Sequence, residues 1–361
     1  MPTPRATALS GAALLSSLLS AAAFATPTSP TAPDGAAASE HATPHQLVEA
    51  IHGIFGEHHT RAVHAKGIIL DGTFTPDPAA ATLTKAPHLQ KESSKLIVRF
   101  SDTTGLPEVP DNVADASPRG MGIKFKLPNG SVTDIVSHSY NGFPAATADE
   151  FRTFLLAIPA SGPQAPKPTP LETFLGTHPA AKAFATTQKI PASFATISYY
   201  GVNSFKFTNA AGASSFARYQ VVPDAGESTL TAAQAAKKSP NYLIDDIKAR
   251  VLKHPVAFKL FAQIADAGDN IEDPSVAWPD TRQRVLLGKI KITQLGTNTP
   301  AADQALAFDP NNIPDGIEAA DPMIRVRSRA YPFSVRERRA GGEGHVPSAT
   351  DPAAKEPTAK Q

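Results

Sequence analysis

The chain has 361 residues, of which 34 are basic and 33 are acidic, so it lacks the basic excess that binding to nucleic acid requires. It contains no cysteine, which excludes disulfides, iron–sulfur clusters and thiolate ligation of a metal. A metal would have to be held by carboxylates or by His, Tyr or Met side chains, of which the chain has 11, 6 and 3.

The amino terminus has the features of a cleavable export signal. Arg5 supplies a positive charge, residues 8–23 form a weakly apolar stretch, and Ala-Phe-Ala at 23–25 predicts cleavage before Thr26. We therefore expect residues 1–25 to be a signal peptide and the mature protein to be periplasmic or secreted; a short membrane anchor is the alternative. No later apolar run reaches the roughly 18 residues of a membrane span, so stable membrane insertion is not expected.

Two further stretches predict little regular structure. Residues 26–43 are rich in Pro, Ala, Thr and Ser and are expected to form a flexible linker, and residues 340–361 are expected to form a disordered tail. The stretch between them, residues 44–339, is expected to fold as one domain.

The expected elements of this domain are short helices, and strands that follow one another as hairpins. Asn129-Gly130 separates two apolar runs, which indicates a hairpin, and Thr147 with Glu150 three residues later fits a capping box. The predicted helices cover residues 44–55, 147–157, 170–175, 179–187, 231–237 and 242–253. The predicted strands cover residues 68–74, 95–100, 122–127, 133–136, 196–200, 204–208, 215–222 and 283–292.

Strands joined by local hairpins, without regular alternation of strands and helices, favour an antiparallel sheet. We therefore predict an antiparallel β-barrel with added helices, in the α+β class. The sequence contains no phosphate-binding loop, no G-x-S-x-G nucleophile motif and no glycine fingerprint for a dinucleotide.

The first segment with reactive side chains is RAVHAKG at 61–67. His64 lies between a predicted helix and a predicted strand, where it could be a core residue, a metal ligand or a general base. His58 and His59 are close in sequence, so a zinc hydrolase is an alternative interpretation. However, no histidine pair here has the H-E-x-x-H spacing that places two ligands on one helix face.

The second segment is VRFS at 98–101, where Arg99 interrupts an apolar strand. A charged side chain in such a strand either points to water at a sheet edge or is buried with a partner of opposite charge. Arg99 could therefore be an exposed edge residue, or it could bind an anionic group of a cofactor.

The third segment is RSRAYP at 327–332. Arg327 and Tyr331 would share one helix face, one turn apart, although Pro332 disfavours a helical conformation at the residue before it. An adjacent guanidinium favours the ionised form of a phenol, and a phenolate is a hard anionic ligand suited to ferric iron. A cation–π contact on the surface is the alternative.

Taken in this order, the segments resemble the catalase superfamily, and in particular its small exported branch, the catalase-related peroxidases. The similar blocks extend from about residue 50 to residue 339: RAVHAKG, GTFT, VRFSDTTGLPEVPD, SPRGMGIKF, DIVSHSYNGFP, VAWPD, LGKIKI, AFDPNNIPDGIE and DPMIRVRSRAYPFSVRERR. The resemblance implies a catalase-type barrel with haem (iron protoporphyrin) as its cofactor.

The resemblance also implies roles for individual residues. His64 matches the distal histidine that moves the peroxide proton, and Ser101 matches the serine that hydrogen-bonds this histidine. Tyr331 matches the axial ligand of iron, with Arg327 beside it. The remaining matches are arginines that neutralise the haem propionates and aromatic residues on the distal side of haem, namely Arg61, Arg99, Arg338, Phe143 and Phe151.

The chain departs from the family pattern at one position of the distal pocket. The family places an asparagine just after its D-I-V-x pattern, and this chain has His138 there. His138 could donate the corresponding hydrogen bond to peroxide if its tautomer is suitable. A small gap in the alignment would instead bring Asn141 to this position. Because of this departure, fast catalase-type dismutation is not expected, whereas haem binding still is.

The resemblance therefore predicts a haem-dependent peroxidase that reduces hydrogen peroxide or organic hydroperoxides with a small organic electron donor, and that has weak catalase activity. The alternatives are a true catalase, a haem-binding barrel without turnover, and an enzyme acting on fatty-acid hydroperoxides. Full-size catalases exchange N-terminal arms between subunits, and the short N-terminal segment of this chain predicts a monomer or a homodimer.

Overall fold

The computed structural model describes residues 41–344, and the side chains of residues 41–340. The predicted signal peptide, and most of the predicted linker and tail, lie outside the described residues. The helices are α1 (Pro44–Phe55), α2 (Ala80–Leu83), α3 (Ala148–Ala157), α4 (Pro170–Thr177), α5 (Pro179–Thr186), α6 (Ala232–Ala235), α7 (Tyr242–Lys253), α8 (Pro300–Ala305) and α9 (Pro322–Gly344).

The strands are β1 (Gly67–Pro76), β2 (Ser94–Ser101), β3 (Gly120–Lys126), β4 (Val132–His138), β5 (Ile190–Pro191), β6 (Tyr199–Thr208), β7 (Ser214–Pro223), β8 (Thr229–Leu230), β9 (Val256–Ile264), β10 (Arg284–Leu295) and β11 (Ile317–Ala319). Within residues 41–344, no helix combines the length and the apolar composition needed to cross a membrane.

Eight of these strands form a closed antiparallel barrel. Hydrogen bonds join β6, β4, β3, β2, β1, β10, β9 and β7 in this order, and β7 pairs with β6 to close the ring. β11 adds to β6, while β5 and β8 form a separate two-stranded sheet. The predicted α+β class and the antiparallel barrel with added helices are confirmed.

The inside of the barrel is filled by apolar side chains. In β2, Leu96, Val98 and Phe100 belong to the main core, and the ring of Phe100 stacks on Phe194 with centroids 5.2 Å apart. Because side chains alternate along a strand, Arg99 lies on the outer face of the barrel. Its side chain is nevertheless only 4% exposed, so other elements cover this face.

Segments from distant parts of the chain form this cover. Asp303 of α8 forms an ion pair with Arg99, and Phe308 lies against Gly122 of β3. α1 packs on α9 through a small apolar cluster that includes Val48 and Ala330. These segments thus cover the outer face of β2 and β3, and they enclose a region between the barrel and the helices.

The prediction of two strands at 196–200 and 204–208 is wrong, because β6 is a single strand. Its pairing with β7 shifts between Gly201 and Phe205, so the residues between the two predicted strands form a bulge inside a single strand. The long-range pairing with β7 keeps this segment extended despite its turn-forming residues.

Several other boundaries also differ from the predictions. β9 and α8 were not predicted, and α6 is shorter than the predicted helix over 231–237. α9 continues through Pro332 and ends at Gly344, beyond the predicted end of the domain at residue 339. The first residues of the predicted disordered tail are therefore helical.

Candidate active site

His64 lies on the outer face of the barrel, beside a row formed by Ser101, Gly120 and His138. These three residues face one another in the pairing of β2, β3 and β4, so they occupy the same side of the sheet. A Cβ atom at Gly120 would lie 2.5 Å from Ser101 Oγ and 2.7 Å from His64 Nδ1. Glycine is therefore required here to make room for the imidazole of His64.

Contacts to both its backbone and its ring hold His64 in place. Its backbone N–H donates to the Thr103 carbonyl at 3.2 Å, and its Nδ1 lies 3.1 Å from Ser101 Oγ. Its φ of 60° is in the left-handed region, which residues with side chains adopt only when surrounding contacts hold them there. Burial, followed by the charge of Arg99, lowers the pKa of His64 to about 4. The imidazole is therefore neutral at pH 7 and able to accept a proton.

Arg61, Arg99 and Arg338 form a cluster next to His64. Arg99 Nη1 donates to the His64 carbonyl at 2.9 Å, and Arg99 Nε donates to Asp303 Oδ1 at 2.8 Å. Arg61 forms an ion pair with the same carboxylate and donates to the Leu306 carbonyl at 2.7 Å. Arg338 donates to that Leu306 carbonyl at 2.9 Å. The structure thus brings together the three arginines that the sequence analysis singled out.

The charges in this cluster do not balance. Burial is the main cause that lowers the pKa of Arg61 to about 9 and that of Arg338 to about 10. Asp303 is buried too, but Arg99 and Arg61 outweigh this effect and lower its pKa, so it is ionised. Arg61 and Arg99 pair with this one carboxylate, and Arg338 donates to backbone carbonyls. Two positive charges are therefore left without a counter-charge among the described side chains of the cluster. The cluster is therefore suited to a ligand group with two negative charges.

Arg327 and Tyr331 lie one turn apart on α9 and contact each other directly. Arg327 donates to the phenol oxygen of Tyr331 from Nε at 3.1 Å and from Nη2 at 2.6 Å. Arg327 Nη1 donates to Asn203 Oδ1 at 2.5 Å, and Asn203 Nδ2 donates to Asp321 Oδ2 at 2.6 Å. A chain of hydrogen bonds therefore fixes the guanidinium that points at the phenol.

The phenol and the two imidazoles border the same region of the protein. Burial is the main cause that lowers the pKa of both His64 and His138, and the charge of Arg327 adds to it in each case. An electrostatic effect of this kind requires the guanidinium to be close to each imidazole. Tyr331, which accepts two hydrogen bonds from Arg327, therefore belongs to the same site as His64.

The tautomer of His138 follows from its backbone contact. Its Nδ1 accepts a hydrogen bond from the Tyr140 N–H at 3.4 Å, which assigns the proton to Nε2. Nε2 is buried and has no hydrogen-bond partner in the part of the chain that the structure describes. Burial, then the charges of Arg327 and His64, lower the pKa of His138 to about 3. His138 is therefore a neutral imidazole with an unused N–H donor.

The two aromatic residues predicted on the distal side are also neighbours. Phe143 and Phe151 have ring centroids 4.8 Å apart, and Phe151 packs against the apolar cluster of α3 and α4. Both side chains are half-buried, so each keeps apolar surface for a further contact.

The zinc interpretation of His58, His59 and His64 finds no support in the geometry. His58 Nε2 contacts the Phe55 carbonyl at 2.6 Å. Within residues 41–344, the group of His and acidic side chains that comes close enough to share one metal ion is His52, Glu57 and Glu337.

Two residues of the site, Asn203 and Asp303, were not predicted from the sequence. Asn203 lies in the β6 bulge, at a position between the two strands predicted at 196–200 and 204–208. No local pattern links it to Arg327. A signal for Asp303 did exist, because three buried arginines require nearby negative charge.

Comparison with known proteins agrees with this geometry. A sequence model of the catalase family matches residues 44–353. The chain is 37% identical over 308 residues to a catalase-related peroxidase of Mycolicibacterium paratuberculosis, covering 84% of this chain and 96% of that protein. It is 32% identical to a catalase-related peroxidase of Synechococcus elongatus, covering 83% and 89% of the two chains.

The fold is similar to solved catalase structures. A fungal catalase superposes with a TM-score of 0.68 at 22% identity, covering 77% of this chain and 59% of that one. Catalase A of Saccharomyces cerevisiae superposes with a TM-score of 0.66 at 23% identity, covering 77% and 61%. The chain thus spans about three fifths of the length of these structures. Family match, sequence identity and fold together show that the chain belongs to the catalase family, in the branch of the catalase-related peroxidases.

Proposed function

We propose that the protein is a haem-dependent peroxidase that reduces hydrogen peroxide or organic hydroperoxides with a small organic electron donor. The observation that carries this proposal is the cluster of Arg61, Arg99 and Arg338 around Asp303, next to His64. Its surplus of two positive charges matches the two propionates of haem, because guanidinium groups form strong hydrogen bonds with carboxylates.

The remaining residues of the site also fit haem. Tyr331 would bind iron through its phenol oxygen, with Arg327 holding that oxygen in position. Phe143 and Phe151 would pack against the distal face of the ring. When bound, haem supplies the electron-transfer chemistry, and the protein supplies ligation, proton transfer and access.

His64 would move the proton of the substrate. It is neutral at pH 7, and Ser101 fixes its ring through Nδ1. It would take a proton from one oxygen of the peroxide and return it to the other oxygen. The departing group then leaves as water, which is a much better leaving group than hydroxide.

His138 would act as a hydrogen-bond donor in place of the asparagine of the family pattern. Its Nε2–H has the required proton and no competing partner among the described residues. Because its pKa is far below 7, it would stay neutral and would not compete with His64 for the proton. His138 would therefore donate to peroxide the hydrogen bond that the asparagine of the family pattern donates.

The other parts of the proposal concern the whole chain. We propose export through residues 1–25, a folded domain at 44–339 that α9 extends to Gly344, and a monomeric or homodimeric mature protein in the periplasm or outside the cell. N-terminal sequencing and the mass in solution of the exported protein test these points. True catalase activity, which a donor-independent release of oxygen from peroxide would reveal, remains the alternative function.

Substitution of Tyr331 by phenylalanine tests the proposed ligand. We expect Tyr331→Phe to lose most of its haem or most of its peroxidase activity, measured by the Soret absorbance and by donor oxidation. Tyr219→Phe is the matched control, since this phenol lies inside the barrel, and it should retain both. A Tyr331→Phe protein with wild-type haem content and activity would refute the assignment.

A further inference from the structure

A cavity of about 350 Å³ lies in the loop of residues 102–119, between β2 and β3. Sites for small molecules have volumes of roughly 300–1,000 Å³ and mostly apolar walls with a few polar groups. The walls of this cavity fit that description, since they are formed mainly by Leu106, Pro107, Val109, Pro110 and Val113.

Buried interactions fix the shape of this loop. Lys66 Nζ donates to the carbonyl of Val109, a wall residue, at 2.8 Å. The fully buried Arg119 donates to the Asp111 carbonyl at 2.7 Å and forms an ion pair with Asp102. The cavity is therefore a preformed feature of the loop.

The inner wall of the cavity borders the segment that carries His64. Thr104 lines the cavity, and its carbonyl accepts a hydrogen bond from the Ala65 N–H at 3.0 Å. The carbonyl of Thr103 accepts from the His64 N–H at 3.2 Å. A molecule in the cavity would thus lie one hydrogen-bonded layer away from His64, and neither His64 nor Tyr331 lines the cavity.

Two carboxylates at the cavity, Asp115 and Glu108, lack a cationic partner. Neither side chain forms an ion pair or hydrogen bond within residues 41–344. The third titratable side chain of the lining, His58, contacts the Phe55 carbonyl instead. Partial burial of Asp115 raises its pKa, as expected for a carboxylate that has no cation beside it.

We propose that this cavity binds the electron donor and selects a small monocyclic phenol that carries an amine. This inference rests on the proposed peroxidase function. The apolar walls would hold the aromatic ring, and Asp115 would pair with the ammonium group. Two phenols would each lose one electron and one proton to become phenoxyl radicals. One hydrogen peroxide would take up both electrons and both protons, its O–O bond would break, and two water molecules would form.

The binding part of this proposal can be tested without turnover. Phenethylamine has the ring and the amine but no phenol to oxidise, and its affinity for the resting holoprotein can be measured by calorimetry. We expect it to bind more tightly than 3-phenylpropionate, and Asp115→Asn to weaken its binding about tenfold. Glu92→Gln is the control, because it removes one negative charge at an exposed position near the opposite end of β2, and it should change the affinity less than twofold.

The same preference should appear in the kinetics. Tyramine, p-cresol and 3-(4-hydroxyphenyl)propionate carry the same phenol with a positive, zero and negative charge. For Asp115→Asn, we expect kcat/KM to fall about tenfold for tyramine, to stay within twofold for p-cresol and to rise for the propionate. Val113→Trp, at a partly exposed wall position, should fill the cavity and lower kcat/KM for all three donors.

The outcomes separate this proposal from the proposed function. Donor oxidation that responds equally to Asp115→Asn and Glu92→Gln would overturn the donor site and leave the peroxidase assignment intact. Charge-selective binding of phenethylamine in a protein that oxidises no phenol would overturn the peroxidase assignment and the role as a donor site, while showing that the cavity binds amines. Absence of phenethylamine binding to the wild-type protein would overturn the cavity assignment directly.

Discussion

Replacement of His138 by phenylalanine tests whether its unused N–H acts on the substrate. The substitution removes the donor at Nε2 and keeps a flat ring of similar size beside Phe184, whose ring centroid lies 6.4 Å away. Because no described residue accepts a hydrogen bond from Nε2, the free protein loses no such contact there. Two hydrogen bonds would disappear: the one to peroxide, and the 3.4 Å bond that Nδ1 accepts from the Tyr140 N–H.

The size of the effect follows from the energy of that bond. A hydrogen bond to a group that carries charge contributes about 1.5–3 kcal/mol, and each 1.4 kcal/mol corresponds to about a tenfold change in rate. We therefore expect the reaction with peroxide to slow about 10- to 150-fold in His138→Phe. The free energy of unfolding should change little or increase. Removing a buried donor without a partner stabilises the protein by about 1–3 kcal/mol, and losing the hydrogen bond from the Tyr140 N–H costs about 0.5–1.5 kcal/mol.

Stopped-flow mixing of the holoprotein with hydrogen peroxide measures this rate through the first change in the haem spectrum, and thermal unfolding measures stability. His138→Asn should recover much of the rate because it restores an N–H donor. His254→Phe, at an exposed position, is the control for loss of an imidazole. An unchanged peroxide rate together with a lower melting temperature in His138→Phe would show that His138 is a structural residue and refute the reasoning.

Three further predictions follow from the same site and from the core. His64→Ala should retain haem but react with peroxide about 10²–10⁴-fold more slowly, as expected for loss of a general acid–base; unchanged stopped-flow kinetics would remove His64 from the mechanism. Asp303→Asn should destabilise the haem-free protein by about 1–3 kcal/mol in denaturant titrations, and the holoprotein by less, because propionates would compensate the arginines. Asp315→Asn, which breaks an exposed ion pair, should have little effect in either form. His88 is fully enclosed, and burial lowers its pKa to about 3, below its ordinary value of 6.5. As the pH falls, the imidazole is therefore protonated in the unfolded chain before it is protonated in the folded protein. The contribution of His88 to the free energy of unfolding is fully present above pH 6.5, and it should be lost as the pH falls towards 3, by at most about 1.4 kcal/mol per pH unit. His88→Phe should flatten this decline in unfolding experiments between pH 7 and 4.5, and parallel curves would contradict the assignment.

Local sequence patterns predicted the elements whose formation depends on nearby residues. The capping signal at Thr147 and the Asn129-Gly130 turn both correspond to observed elements, α3 and the β3–β4 hairpin. The sequence of β9 also had a usable signal, since apolar residues alternate at Val256, Phe258 and Leu260, and all three are buried. This alternation is sufficient to predict a strand.

Other features depend on contacts that no local pattern contains. The β6 bulge has turn-forming residues, and only its pairing with β7 keeps it extended. Asn203 in this bulge receives its role from Arg327, which is 124 residues away in the chain. α9 continues through Pro332 although the residue before proline disfavours a helix, since packing against α1 and the barrel supports the surrounding turns.

The location of the site on the outside of the barrel explains why strand register matters for its chemistry. Phe100 fills the interior, and its neighbours Arg99 and Ser101 therefore point outward to the arginine cluster and to His64. A slip of one residue in the pairing of β2 would exchange these faces, placing a guanidinium in the apolar core and a phenyl ring beside the imidazole. The aromatic packing inside the barrel opposes this slip because each large side chain fits one position. The packing that stabilises the barrel thus also holds Ser101 in register with Gly120. At Gly120 any side chain would clash with the imidazole of His64.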